Sequence, residues 1–275
     1  MTNIQRTLAA LIFCLMGLAG KSLHANDGNA GDPNTDSVAA TAVDVIGVVQ
    51  VQAGSAWQAV QTGQLFGAGD RLTTGDNSRL QLVLADGSSV ALEQDSELTL
   101  DQAGAGEEGS VTLLTLARGL LDAMVQKLRL GSRFEIQTPY AIAAVKGTDF
   151  EVSDANKASA VTVSEGVVQM GDSSRRNFTA IHPQQRGEFR GNLFLGARDL
   201  NAAERQMLKR RWSGARALHV RRFELLRRFA HSPLHGRFLQ QMHRRSFNLR
   251  KGGRSMNRGR RFSGRFHRGL RDRER

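Results

Sequence analysis

The sequence predicts an all-β domain, a sandwich or jelly roll, followed by a basic amphipathic helix and an Arg/Gly-rich tail. Short apolar-alternating runs recur from Val43 to about Arg190, most of them separated by Gly, Asp or Ser. Regular short strands with turn punctuation are the pattern of sandwiches and jelly rolls. At Asn201 the apolar period changes from that of a strand to that of a helix. Charge divides near the same point. Residues 205–275 hold 23 of the 38 Lys+Arg and 3 of the 26 Asp+Glu, a balance of +20, which leaves −8 on residues 1–204 of a chain whose net charge is +12.

Residues 1–25 read as a secretory signal, with Arg6 as the positive start, an apolar stretch from Leu8 to Gly20, and small residues at Ala19, Gly20 and Ala25 as cleavage candidates. Lys21 ends the run well short of the roughly 20 apolar residues a spanning helix needs. The expectation is a cleaved signal, with no transmembrane span remaining and the mature chain in the periplasm or secreted. Lys21 also stands where a lipoprotein signal would carry its cysteine. Cys14 is the sole cysteine and lies inside this segment, so the mature chain has no disulfide and no thiolate zinc site.

Residues 26–42 are small and polar without apolar periodicity and read as a flexible spacer. In the β region, 43–190, strands are expected at 45–51, 57–61, 79–84, 89–93, 97–100, 111–116, 134–137, 149–153, 160–164 and 166–170. Leu80, Leu82 and Leu84 alternate with Gln81 and Val83, and Asp86-Gly87 then supplies a hairpin turn before Val90-Ala91-Leu92. The period of residues 118–130 allows a helix.

Asn201 and Glu204 form a capping box. The helix it opens is expected to run to about Ala230, ahead of Pro233. Met207, Leu208, Trp212, Ala215, Leu218, Phe223, Leu225, Leu226 and Phe229 fall on one arc, broken by Arg211 and Arg222. A basic helical region thus covers 199–247, with a second short helix at 234–247. Residues 248–275, rich in Arg and Gly with Phe262 and Phe266 interleaved, lack the apolar mass to order themselves.

No nucleophile elbow, Walker loop or His-Glu-x-x-His motif occurs, and the carboxylates of the β region sit mostly in turns. The expectation is a non-enzyme with no cofactor. Lys146-Gly147-Thr148 lacks the glycine-rich lead-in of a phosphate loop and reads as a tight bend. His231 and His235 have metal-binding spacing, but Pro233 between them and the surrounding arginines oppose a site. The basic region is the one feature that implies a partner, with Arg210, Arg221, Arg222, Arg227, Arg228, Arg260 and Arg261 as candidate contacts. Three readings of it stand. It binds an anionic envelope lipid or polymer, with Trp212, Phe223 and Phe229 inserted. It binds nucleic acid, which export disfavours. Or its apolar arc packs on the β region and its arginines are simply solvated.

The run Thr138-Pro139-Tyr140-Ala141-Ile142-Ala143-Ala144-Val145-Lys146-Gly147-Thr148-Asp149-Phe150-Glu151-Val152 resembles the core signature of the FecR-type extracytoplasmic domain. Gly69-Asp70, Asp86-Gly87, Gly147-Thr148 and Gly166 fit the same pattern in order. The resemblance implies an all-β domain outside the cytoplasm, and with it a strand over 118–126. Known members include transmembrane anti-sigma regulators with a cytoplasmic sigma-binding segment. Here only seven residues precede the hydrophobic run, so the resemblance points instead to a stand-alone exported binding or scaffold domain with a protein partner in the envelope. A signal-responsive regulator is the alternative.

Overall fold

In a computed structural model of the chain, residues 38–105 and 109–227 are described. They form two sheets joined through one strand. The first sheet runs, in spatial order, β4 (Leu65–Phe66), β1 (Ala40–Ile46), β6 (Arg79–Leu84), β7 (Ser89–Leu92), the C-terminal part of β9 (Ser110–Met124), β12 (Asp149–Ala155), β13 (Ala158–Glu165), β16 (Gln185–Arg190) and β17 (Leu193–Asp199). The second runs β3 (Ala56–Ala59), β2 (Val49–Ala53), β5 (Arg71–Thr74), β8 (Glu97–Ala105), the N-terminal part of β9, β10 (Arg133–Gln137), β11 (Ala141–Val145), β14 (Val168–Asp172) and β15 (Thr179–Ile181). Every pairing is antiparallel except β9 with β10.

β9 changes sheets at Gly119. It pairs with β8 as far as Arg118 and with β12 from Gly119 onward. Gly119 has φ +99, and a Cβ there would lie 2.1 Å from the Ser96 Oγ. Ser96 fills that space and accepts a hydrogen bond from the Leu120 N–H at 2.9 Å.

Alternation places one set of side chains between the sheets. Leu80, Leu82 and Leu84 of β6, Leu121 of β9, Phe150 of β12 and Val163 of β13 are fully buried there, facing Leu98, Leu114, Phe134 and Met170 of the second sheet. At 1.5–3 kcal/mol for each large side chain, this cluster is the main source of stability. The Asp86-Gly87 turn joins β6 to β7 as expected. Gly87 has φ +84, its N–H donates to the Leu84 carbonyl, and the Asp86 carboxylate accepts from the Ser88 N–H at 2.8 Å.

Helix α1 (Ala202–Arg227) begins at the expected cap. The Glu204 N–H donates to Asn201 Oδ1 at 3.0 Å and the Asn201 N–H donates to Glu204 Oε2 at 2.8 Å. The helix lies on the outer face of the first sheet. Leu208, Trp212 and Ala215 pack with Leu200 and Met124, and Leu226 packs with Val43, Val83 and Ala85.

Several sequence expectations are corrected. The run 45–51 is two strands in different sheets, β1 and β2, because the chain turns at Gly47-Val48, where Ser78 Oγ accepts the Val48 N–H. β1 starts at Ala40, and Ala39, Ala40 and Ala42 are buried, so this end of the assigned spacer belongs to the sheet. β16 and β17 carry the sheet to Asp199, beyond 190. β4, β5, β11, β15, β16 and β17 were not expected. The 118–126 segment is extended as far as Met124. Met207 is 63% exposed, outside the buried stripe. Trp212 is 2% exposed against the first sheet, so it is not a membrane-inserting side chain in this arrangement. The signal segment, the end of the helix, the 234–247 helix, the 248–275 tail and the His231/His235 pair lie outside the described residues.

Candidate functional site, a carboxylate row clasped by arginine

Strand pairing lines up the outward residues of the first sheet into rows. One row reads Asp44, Gln81, Ala91, Asp122, Glu151, Thr162 and Arg186 across seven strands. The next reads Val83, Ser89, Met124, Asp149 and Glu165. The helix period sets Leu208, Arg211, Trp212, Ala215 and His219 on the face that meets these rows.

Arg211 is the centre of the contact. Its Nε donates to Asp122 Oδ2 at 2.7 Å, and its two terminal nitrogens lie 3.3 Å from Glu93 and 3.3 Å from Glu151. Three carboxylates from separate segments thus converge on one planar guanidinium, an arrangement suited to its fork of donors. Arg79 lies 3.3 Å from Glu93 and Arg186 lies 3.8 Å from Glu151, so three cations balance three anions. One turn on, Arg216 Nε donates to Asp149 at 3.1 Å and its terminal nitrogen donates to Glu165 at 3.0 Å. His219 Nδ1 lies 2.7 Å from the Ser89 hydroxyl.

The Asp122 side chain is 2% exposed. Burial pushes its carboxyl up to about 6; the charge and hydrogen bond of Arg211 oppose that rise, and Glu151 and Glu93 add to it. Burial works against the charge of Arg211, but Asp122, Glu151 and Glu93 outweigh it and hold the guanidinium above its usual value. Burial likewise raises Asp149 against the pull of Arg216. At the helix start, the hydrogen bonds from Arg198 and the cap lower Glu204 to about 2.

The perturbed carboxyl Asp122 is therefore covered by the helix and held by an arginine, not open to a substrate. A surface depression of about 540 Å³ beside the helix is lined by Gln126, Lys127, Leu128 and His219 and gathers no carboxylate. Among the described residues no group of three or more His, Cys, Asp or Glu is placed to hold a metal ion.

The motif residues occupy turns and close approaches. The Asp70 carboxylate accepts from the Gly67 N–H at 2.8 Å, with Gly69 in the intervening turn. Asp86 also accepts from the Thr112 hydroxyl, tying the hairpin to β9. Gly147 has φ +136, and a Cβ there would meet the Lys127 Cα at 2.9 Å. Gly166 faces the Gly147 carbonyl at the same approach, and the Thr148 hydroxyl donates to the Val167 carbonyl. These are structural roles. Of the candidate contact arginines, Arg210 and Arg221 are exposed. The Arg222 and Arg227 side chains, and Arg228, Arg260 and Arg261, lie outside the described set. Sequence reasoning treated Arg211 as a break in an apolar stripe and missed its partners.

Residues 70–169 match the family model described as FecR protein, 100 of the 275 residues of the chain. This stretch is a FecR domain, running from β5 into β14. All five clasping carboxylates lie inside it, and Arg211 and Arg216 lie outside it. The chain is also similar to two crystal structures of a "putative anti-sigma factor" from Parabacteroides distasonis ATCC 8503, at 18% identity and TM-scores of 0.42 and 0.41. The match covers 48% of this chain and 60% of each of those, so the chain spans less than two thirds of their length. No curated protein matches the chain. Among the described residues, no helix is long and apolar enough to cross a membrane.

Proposed function

We propose that this protein is an exported, non-enzymatic binding domain of the cell envelope. Its β domain engages a protein partner, and its basic C-terminal region retains it at an anionic lipid or polymer surface. The observation that carries the reading is how charge is distributed. The carboxylates beneath the helix, Asp122, Asp149 and Glu151, are occupied by Arg211 and Arg216. Arg205, Lys209, Arg210 and Arg221 are exposed and form no ion pair among the described residues. An acid neutralised by a fixed arginine is a poor proton carrier, whereas unpaired exposed cations attract anionic surfaces. The FecR domain supports the broader class, a domain associated with signalling and regulation outside the cytoplasm.

The test is sedimentation of the full-length protein with vesicles containing phosphatidylglycerol, compared with pure phosphatidylcholine and with DNA and RNA at matched salt. Binding that requires the anionic lipid and weakens as salt rises is expected, since the attraction is screened over about 8 Å at physiological ionic strength. Stronger binding to nucleic acid would replace this reading with that of a nucleic-acid-associated exported protein.

A further inference from the structure

The two outer faces of the sandwich differ in a way that bears on how it meets a charged surface. On the second sheet four arginines each reach a carboxylate partner, two to each of two glutamates. Arg71 and Arg118 pair with Glu97, and Arg133 and Arg175 pair with Glu135. Asp101 accepts from the Thr115 hydroxyl. On the first sheet the outer face is covered by α1, and the helix divides its own cations between two sides. Arg211 and Arg216 point into the sheet beside the buried Trp212. Arg210 and Arg221 sit about three turns apart on the opposite side, with exposed Ala217 between them, and Lys209 is exposed on the flank. Glu224 is the exposed acid of that stretch.

The geometry points to an oriented docking surface: α1 stays clasped to the first sheet and its solvent side, through Arg210 and Arg221, lies on an anionic bilayer, which leaves the second sheet facing away from the bilayer and accessible to a protein. Charge complementarity identifies the occupant, because this side of the helix carries unpaired cations and few large apolar groups to insert. Its inward stripe is already spent on Met124, Leu200 and the carboxylates. The inference rests on the proposed retention at an anionic surface and adds which face does it and in what state of the helix.

Two matched charge variants of the full chain test the orientation. Arg210→Gln with Arg221→Gln, and Arg71→Gln with Arg175→Gln, remove the same net charge from opposite faces. All four positions are exposed, and thermal melts establish that both variants are folded. On vesicles of phosphatidylglycerol and phosphatidylcholine the helix variant is expected to bind about 30-fold more weakly, since each basic residue near the surface contributes about 1 kcal/mol. The second-sheet variant is expected to change binding less than about 2-fold, because its charges lie beyond a Debye length. Equal weakening by both variants overturns the orientation. A second measurement reads the state of the helix. With Trp57→Phe, Trp212 is the remaining tryptophan, and brominated lipid should leave its fluorescence unquenched. Quenching would mean that the helix detaches and inserts, which overturns the clasped arrangement. If the unmodified protein binds no anionic vesicle, the retention reading itself fails, a result distinct from either of these.

Discussion

Replacing Arg211 by Met removes the cation at the centre of the carboxylate row while keeping a long apolar side chain beside Trp212. Deleting one partner of a buried pair commonly costs 3–5 kcal/mol. Here Asp122 has an alternative, which is to take up a proton. In the intact protein its carboxyl already titrates at about 6. Without Arg211 the value rises further, and the added cost at about pH 7.5 is capped near 2 kcal/mol, because protonation at that pH costs about 1.4 kcal/mol for each pH unit above 6. Glu93 and Glu151 are more exposed, at 24% and 15%, and losing their shared cation adds about 1 kcal/mol. The expected loss is therefore about 3 kcal/mol at about pH 7.5. At about pH 5 Asp122 is already mostly protonated in the intact protein, and the loss shrinks to about 1 kcal/mol. Urea unfolding of both proteins at the two pH values measures this. A loss below about 1 kcal/mol at the higher pH, or equal losses at both, would refute the idea that Arg211 holds an ionised, buried Asp122.

Asp122→Asn tests the same site from the other side. The folded value of about 6 lies above the ordinary 3.8, so the folded protein binds more protons between those values, and stability falls as pH rises through that window. The variant should remove that slope, worth up to about 3 kcal/mol, and should equal or exceed the unmodified protein at neutral pH; an unchanged slope in thermal melts would assign it to another group. Gly147→Val should cost about 2 kcal/mol or more, from its φ of +136 and the 2.9 Å approach to Lys127 Cα, and a neutral melt would show that the bend relaxes easily. Trp212→Ala should cost about 3–5 kcal/mol and loosen α1 first, seen as faster hydrogen exchange at 208–219 than in β9. Uniformly faster exchange would instead mean that helix and sheets open together.

Much of the fold could be read from side-chain period alone. Leu80, Leu82 and Leu84 declared the inner face of β6, Asp86-Gly87 its turn, and Asn201 with Glu204 the helix start, because each is a local signal. β11 was hidden because Ala141–Val145 is apolar throughout and shows no alternation. β16 was hidden for the opposite reason, since Gln185–Arg190 buries chiefly Phe189 and Gly187 and otherwise reads as polar. The helix arc identified Leu208, Trp212, Ala215 and Leu226 but also admitted Met207, because period gives direction without the width that the sheet covers. The clasp itself was beyond sequence reasoning. Asp122 and Arg211 are 89 residues apart, and their meeting depends on strand register and on where the helix lies across the sheet.

β9 gives the molecule one further property. Its 15 residues are hydrogen-bonded into both layers, so the layers are joined by covalent backbone as well as by side-chain packing. Met124, under the helix, and Thr112, held by Asp86 and paired with β10, belong to the same strand. Neither layer can peel from the other without tearing hydrogen bonds along that strand. A tug on the helix therefore reaches the far sheet through a continuous tether, and the domain yields as one body rather than as two leaves.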